Sequence, residues 1–121
     1  MSLTSFSPFF RIFFCNYASL LRDLKHFEEA SSLMRRLIPV ARRSFGEGDV
    51  TSLTMVRIYV LTLNNVDTAT LDDLRGAMTM LEKAERTARR VLGCGHPLAR
   101  AIGQTLRNAR VVLLAREMRQ S

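Results

Sequence analysis

Residues 41–46 read Ala41-Arg42-Arg43-Ser44-Phe45-Gly46, and residues 88–93 read Ala88-Arg89-Arg90-Val91-Leu92-Gly93. The same order of small, basic, basic, any, large apolar and glycine recurs at an offset of 47 residues. Working backwards at that offset, Glu29-Ala30-Ser31-Ser32-Leu33 falls on Gly76-Ala77-Met78-Thr79-Met80, so Ala30 matches Ala77. Further upstream, Tyr17 and Leu21 fall on Tyr59 and Leu63 at an offset of 42. The five-residue difference is absorbed just before Thr70. Self-similarity at such a period marks a repeat of one supersecondary unit, here a helix–turn–helix pair of about 42 residues.

The helical character of the unit is legible position by position. Phe27, Ala30, Leu33, Met34, Leu37, Ile38 and Ala41 follow the i, i+3, i+4, i+7 spacing of one helix face. Leu71, Leu74, Ala77, Met78, Leu81, Ala84, Ala88 and Val91 repeat that pattern over a longer helix. Thr70 suits an N-cap, with Asp73 three residues on as a capping box, and Asp72 and Asp73 complement the positive end of the helix dipole. Gly46 and Gly93 sit where a residue of positive φ closes a helix. Pro39 lies inside its helix, where the ring removes one donor and crowds the carbonyl of Arg35, predicting a kink. Pro97 suits a first helical turn, and His96 before it reads as a turn cap. These signals predict five helices, near residues 9–24, 27–44, 50–64, 70–92 and 97–116, with a loop at 65–69. The chain is therefore all-α.

Composition agrees. The 121 residues are 47% hydrophobic, with three prolines and six glycines, which fits one domain able to bury a core without covalent staples. The net charge is +7 and the isoelectric point about 10.7, most of the excess being arginine. Such a balance permits attraction to acidic peptides, nucleic acid or anionic lipid, and equally describes a solvated basic helix face. Cys15 and Cys94 form no CxxC pair and no metal-ligand cluster, which fits a reducing, cytoplasmic compartment. No run approaches the roughly 18 apolar residues of a membrane span. In residues 1–15 the only cation, Arg11, sits inside the apolar stretch rather than before it. That order departs from a secretory signal, so the segment is expected to be an extension or the start of the first helix.

The pattern Asn16-Tyr17-Ala18-x-Leu20-Leu21, then Phe27-Glu28-Glu29-Ala30, resembles the tetratricopeptide consensus. The unit of about 42 residues and the link Leu92-Gly93-x-Gly95-His96-Pro97 resemble the longer repeats of kinesin light chains. The resemblance covers residues 15–116. It departs at Glu47-Gly48-Asp49-Val50, where the first copy lacks His-Pro, and at Lys25-His26, where a glycine is usual; no heptad region for binding a motor heavy chain is present. It implies a tetratricopeptide-like α-solenoid with repeat 1 at 16–49, repeat 2 at 50–96, a capping helix at 97–116 and a tail at 117–121.

That resemblance also implies a non-catalytic role, binding a peptide or protein segment in a concave groove lined by the first helix of each pair. Carried over, the groove positions are Asn16, Ser19, Arg22 and Asp23 from the first helix, and Thr54, Arg57, Ile58, Leu61 and Asn64 from the third. Asn16 occupies the place of an asparagine that holds a ligand backbone in related arrays; Ile58 stands there in the second copy. Arg22 and Arg57 suit acidic ligand groups. Val111-Val112-Leu113-Leu114 exceeds what one helix face needs, and reads as core packing, as a surface for another chain, or as the seat of further repeats; the ends of such an array also permit self-association.

Catalytic signatures are missing from the sequence. His26 and His96 lie at helix boundaries, Asp72-Asp73 is explained by capping, and no cation is fixed beside Cys94 to activate it. There is no phosphate loop and no GxGxxG, so no cofactor and no metal are expected. The alternatives are a basic surface for nucleic acid or another polyanion, and a repeat fragment without a ligand. Against the first, the arginines are not interleaved with the aromatics that a stacking platform needs.

Overall fold

The computed structural model describes residues 26–66 and 68–120. The expected first helix, the match of Tyr17 and Leu21 to the second copy, and the groove positions Asn16, Ser19, Arg22 and Asp23 lie outside the described residues.

Four helices make up the described chain: α1 (Phe27–Phe45), α2 (Val50–Leu63), α3 (Leu71–Leu92) and α4 (Pro97–Gln120). All are α-helices, and no strand occurs among the described residues. α1 continues through Pro39 to Phe45, so the proline does not end it. Its buried face is Ala30, Ser31, Met34, Ile38 and Ala41. α3 buries the corresponding stripe of Leu74, Ala77, Met78, Leu81, Ala84 and Ala88, with Thr87. The four matched alanines, Ala30 and Ala77, Ala41 and Ala88, are all at most 3% exposed. At positions so completely buried, a larger side chain would have to displace its packed neighbours.

Helix ends follow local chemistry. The capping box on α3 is complete: the Asp73 N–H donates to Thr70 Oγ1 at 3.0 Å, and the Thr70 N–H donates to Asp73 Oδ2 at 3.2 Å. The turns after α1 and α3 are near copies. Gly46 has φ 94° and ψ 154°, and Gly93 has φ 94° and ψ 152°. Their N–H groups donate to Arg42 O and Arg89 O, at 2.9 and 3.1 Å. Three residues on, Asp49 N–H donates to Gly46 O and His96 N–H to Gly93 O, at 3.3 and 3.2 Å. Asp49 and His96 then cap the next helix alike, Asp49 Oδ2 accepting from Thr51 N–H at 2.8 Å and His96 Nδ1 from Leu98 N–H at 3.0 Å. The sequence difference between Gly48-Asp49-Val50 and Gly95-His96-Pro97 therefore conceals one backbone path and one capping role.

α2 is the centre of the packing. It is in contact with α1, α3 and α4; α3 and α4 also pack together, whereas α1 makes no close backbone contact with α3 or α4. Having neighbours on several sides, α2 buries nine positions, among them Leu53, Val56, Tyr59, Val60 and Leu63. One apolar cluster runs through all four helices and includes Val66 and Ala69 of the loop between α2 and α3. α4 outruns its expected end because its last turns reach back to that loop. Arg116 donates from Nη2 to Val66 O at 3.1 Å and from Nη1 to Ala69 O at 3.3 Å, and Glu117 accepts from Arg75 at 2.8 Å.

Candidate binding face on α2 and α4

α2 leaves one stripe open. Thr51, Thr54, Arg57, Leu61 and Asn64 are partly exposed, while the residues between them, apart from the helix start, are buried. These positions recur at intervals of three or four, so they lie along one side of the helix. Four of the five groove positions carried over on this helix, Thr54, Arg57, Leu61 and Asn64, fall on this stripe. Ile58 does not. It is 7% exposed and belongs to the apolar cluster, because a position next to Arg57 in sequence is rotated about 100° around the helix. Ile58 is therefore a core residue, which corrects its placement in the groove.

Arg57 joins the stripe to α4. Its Nε donates to Thr105 Oγ1 at 3.0 Å, and Thr105 Oγ1 donates to Ala101 O at 2.9 Å. Beside Thr105, α4 presents Ala101, Gln104 and Asn108 without burying them. Gln104 Nε2 donates to Asn108 Oδ1 at 3.2 Å, and Arg107 donates to Gln104 Oε1 at 2.8 Å. At the 47-residue offset Ala101, Gln104 and Asn108 are the counterparts of Thr54, Arg57 and Leu61. Consensus matching misses them because Asp49 and His96 differ as residue types; the shared turn glycines Gly46 and Gly93, with Gly48 and Gly95, carry the signal that aligns them.

The face so formed mixes a half-buried guanidinium, three carboxamides, threonine hydroxyls and one leucine. Carboxamides and guanidinium supply donors and acceptors for a polypeptide backbone or carboxylate, and Leu61 supplies apolar contact. A second arginine cluster lies elsewhere. Arg35, on α1, donates to Tyr59 Oη from Nε at 3.3 Å and Nη2 at 3.1 Å, and sits 3.7 Å from Asp73 Oδ1. The hydrogen bond to Tyr59 is the main cause of its raised pKa, with Asp73 a lesser contributor. This group ties α1 to α2 and α3, a structural use of arginine.

Among the described residues no three His, Cys, Asp or Glu side chains converge as metal ligands, and no helix is long and apolar enough to cross a membrane. Cys94 is exposed and unpaired by disulfide. No protein-family model, curated protein or solved structure matches the chain.

Proposed function

We propose that the chain is a tetratricopeptide-type α-solenoid module, non-catalytic, that binds an extended peptide or protein segment along the open side of α2 and α4. The observation that carries this is the alignment of Thr54, Arg57, Leu61 and Asn64 into the one open stripe of an otherwise buried helix, beside their offset counterparts on α4. The repeated turn at Gly46 and Gly93 supports the repeat architecture, since two pairs built on one backbone path stack in the same sense. The charge of the face favours a partner with acidic groups, and the cysteine usage fits the cytoplasm.

The test is partner capture from lysate, with nuclease treatment, on the wild-type chain and on Leu61→Glu/Gln104→Glu. Both substituted positions are at the surface, so helicity by circular dichroism should be unchanged. A defined protein set retained by wild type and lost by the variant supports the reading. Equal retention by both chains sinks it.

One observation favours polyanion binding as the second reading. Arg86, Arg89, Arg90 and Arg100 are exposed, and among the described residues none lies within ion-pair distance of a carboxylate. Phosphate-driven binding would fall steeply as salt rises and would vanish from the nuclease-treated sample.

A further inference from the structure

Charge is not spread evenly along the helices. Glu28, Glu29, Asp72 and Asp73 lie in the first turns of α1 and α3, and Arg42, Arg43, Arg89 and Arg90 in their last turns. The two last turns are neighbours. Glu47, just after α1, lies 4.0 Å from Arg42 Nε and 3.4 Å from Lys83 Nζ on α3, and a Cβ on Gly48 would come 3.1 Å from Val91 Cγ2. Arg100 belongs to the same end, since its N–H donates to His96 O at 3.0 Å and the His96 N–H donates to Gly93 O at 3.2 Å.

The carboxylates on this side of the molecule are already in use. Glu47 takes Arg42 and Lys83, and Asp49 caps α2. Glu82 and Glu85 turn toward α4, the first 3.6 Å from Arg110 Nη2 and the second 3.0 Å from where a Cβ on Gly103 would stand. Arg43, Arg86, Arg89, Arg90 and Arg100 are exposed, and among the described residues none lies within ion-pair distance of a carboxylate. The helix dipole accounts for a cation at a helix C-terminus, as at Arg43, Arg89 and Arg90. It does not account for Arg100, which stands at the start of α4 where the dipole opposes it. Residues 1–25 contribute Arg11, Arg22 and Lys25 against the single carboxylate of Asp23, so they add to the positive balance rather than cancel it.

Two apolar side chains stand among these arginines. Val91 follows Arg90 and is 53% exposed; Val50, two residues after Gly48, is 48% exposed. A phosphodiester backbone has no use for either. The described aromatics, Phe27, Phe45 and Tyr59, are partly or fully buried, which leaves no platform for stacking bases. The headgroup layer of an anionic bilayer uses both kinds of group. Cations meet the lipid phosphates and carboxylates, and short apolar side chains reach the acyl boundary.

We propose that the end of the molecule built from the last turns of α1 and α3 and the start of α4 docks onto an anionic lipid surface. The inference goes beyond the peptide-binding stripe, and takes the arginines of the second reading to lipid rather than to nucleic acid. The docking residues are separate from Arg57, Leu61 and Gln104.

The test is cosedimentation of the full chain with phosphatidylcholine vesicles and with vesicles that also contain phosphatidylserine, beside titration of the chain with duplex DNA. Wild type is expected to bind the mixed vesicles, not the neutral ones, and to bind less as salt rises. One cation at an anionic surface is worth about fivefold in partitioning, so Arg89→Gln/Arg90→Gln should bind about 25-fold more weakly. Arg75→Gln/Arg119→Gln removes the same charge from the opposite end and should lose less than about threefold. Val50→Ser/Val91→Ser should weaken vesicle binding by roughly fivefold or more. Circular dichroism checks that each variant keeps its helicity; should a double variant not fold, Arg90→Gln and Val91→Ser alone carry the same expectations in direction. Absence of binding to the mixed vesicles, equal losses from the two arginine pairs, or a serine variant that binds like wild type each overturns the proposal. Binding to duplex DNA without binding to vesicles gives the site to nucleic acid and overturns it too. Partner capture through Leu61 and Gln104 is scored without lipid, so failure of one result leaves the other standing.

Discussion

Replacing Gly93 with alanine isolates a backbone cost with no steric contribution. Its φ of 94° lies in a region that side-chain-bearing residues rarely adopt, and a Cβ built there meets nothing within 4 Å. With ψ at 152° the residue sits outside the left-handed helical region, in territory that is essentially glycine's own, and occupying it with alanine costs about 1–3 kcal/mol. Alanine also restricts the unfolded chain, which returns about 0.4–1 kcal/mol where the native backbone is compatible. Gly95 is the control: two residues away, equally open and without a positive φ, it should show only that gain. The difference between Gly93→Ala and Gly95→Ala is then the strain itself, about 1–3 kcal/mol, measured by urea unfolding followed at 222 nm. Gly46→Ala should match Gly93→Ala within about 0.5 kcal/mol if the two turns are one design. Equal stability of Gly93→Ala and Gly95→Ala would refute the turn geometry, and with it the equivalence of the two helical pairs.

Two further outcomes follow from the core and the caps. Leu81, fully buried in α3, should cost about 2–5 kcal/mol on truncation to alanine, and thermal unfolding should show the largest loss of midpoint among single α3 substitutions. Asp49→Ala and Thr70→Ala each remove a side-chain acceptor from a helix start and should cost about 1 kcal/mol, read from denaturant unfolding, while Asp49→Asn should recover most of the loss.

What could be read from the sequence was whatever a local rule controls. Thr70 to Asp73 formed the capping box that their spacing implied, and Gly46 and Gly93 ended helices at positive φ. Where several helices compete for one element, the reading weakened. α2 buries residues on most of its circumference, so no simple apolar stripe marks its open side, and the repeat pattern places in the groove Ile58, which burial puts in the core. The end of α4 is not legible locally either, because Arg116 and Glu117 find their partners at Val66, Ala69 and Arg75, which are far away in sequence. Gln104 and Asn108 are legible through turn geometry alone, because residue identity does not align the last helix with the earlier copy.

The two faces of α4 show how one helix can serve opposite requirements. On the side turned back toward α2 and α3, positions 99, 102, 103, 105, 106 and 109 must be small or apolar, because they fill the same spaces that their counterparts fill on α2. Elsewhere only solubility and binding constrain the choice, and there the sequence departs furthest from its own first copy: Leu53 becomes Arg100, Val60 becomes Arg107, and Leu61 becomes Asn108. What the two copies share in sequence and geometry is the matched alanines, two positive-φ glycines and interchangeable caps such as Asp49 and His96. On the proposed reading, that difference in constraint leaves the exposed residues of α2 and α4 to set the partner.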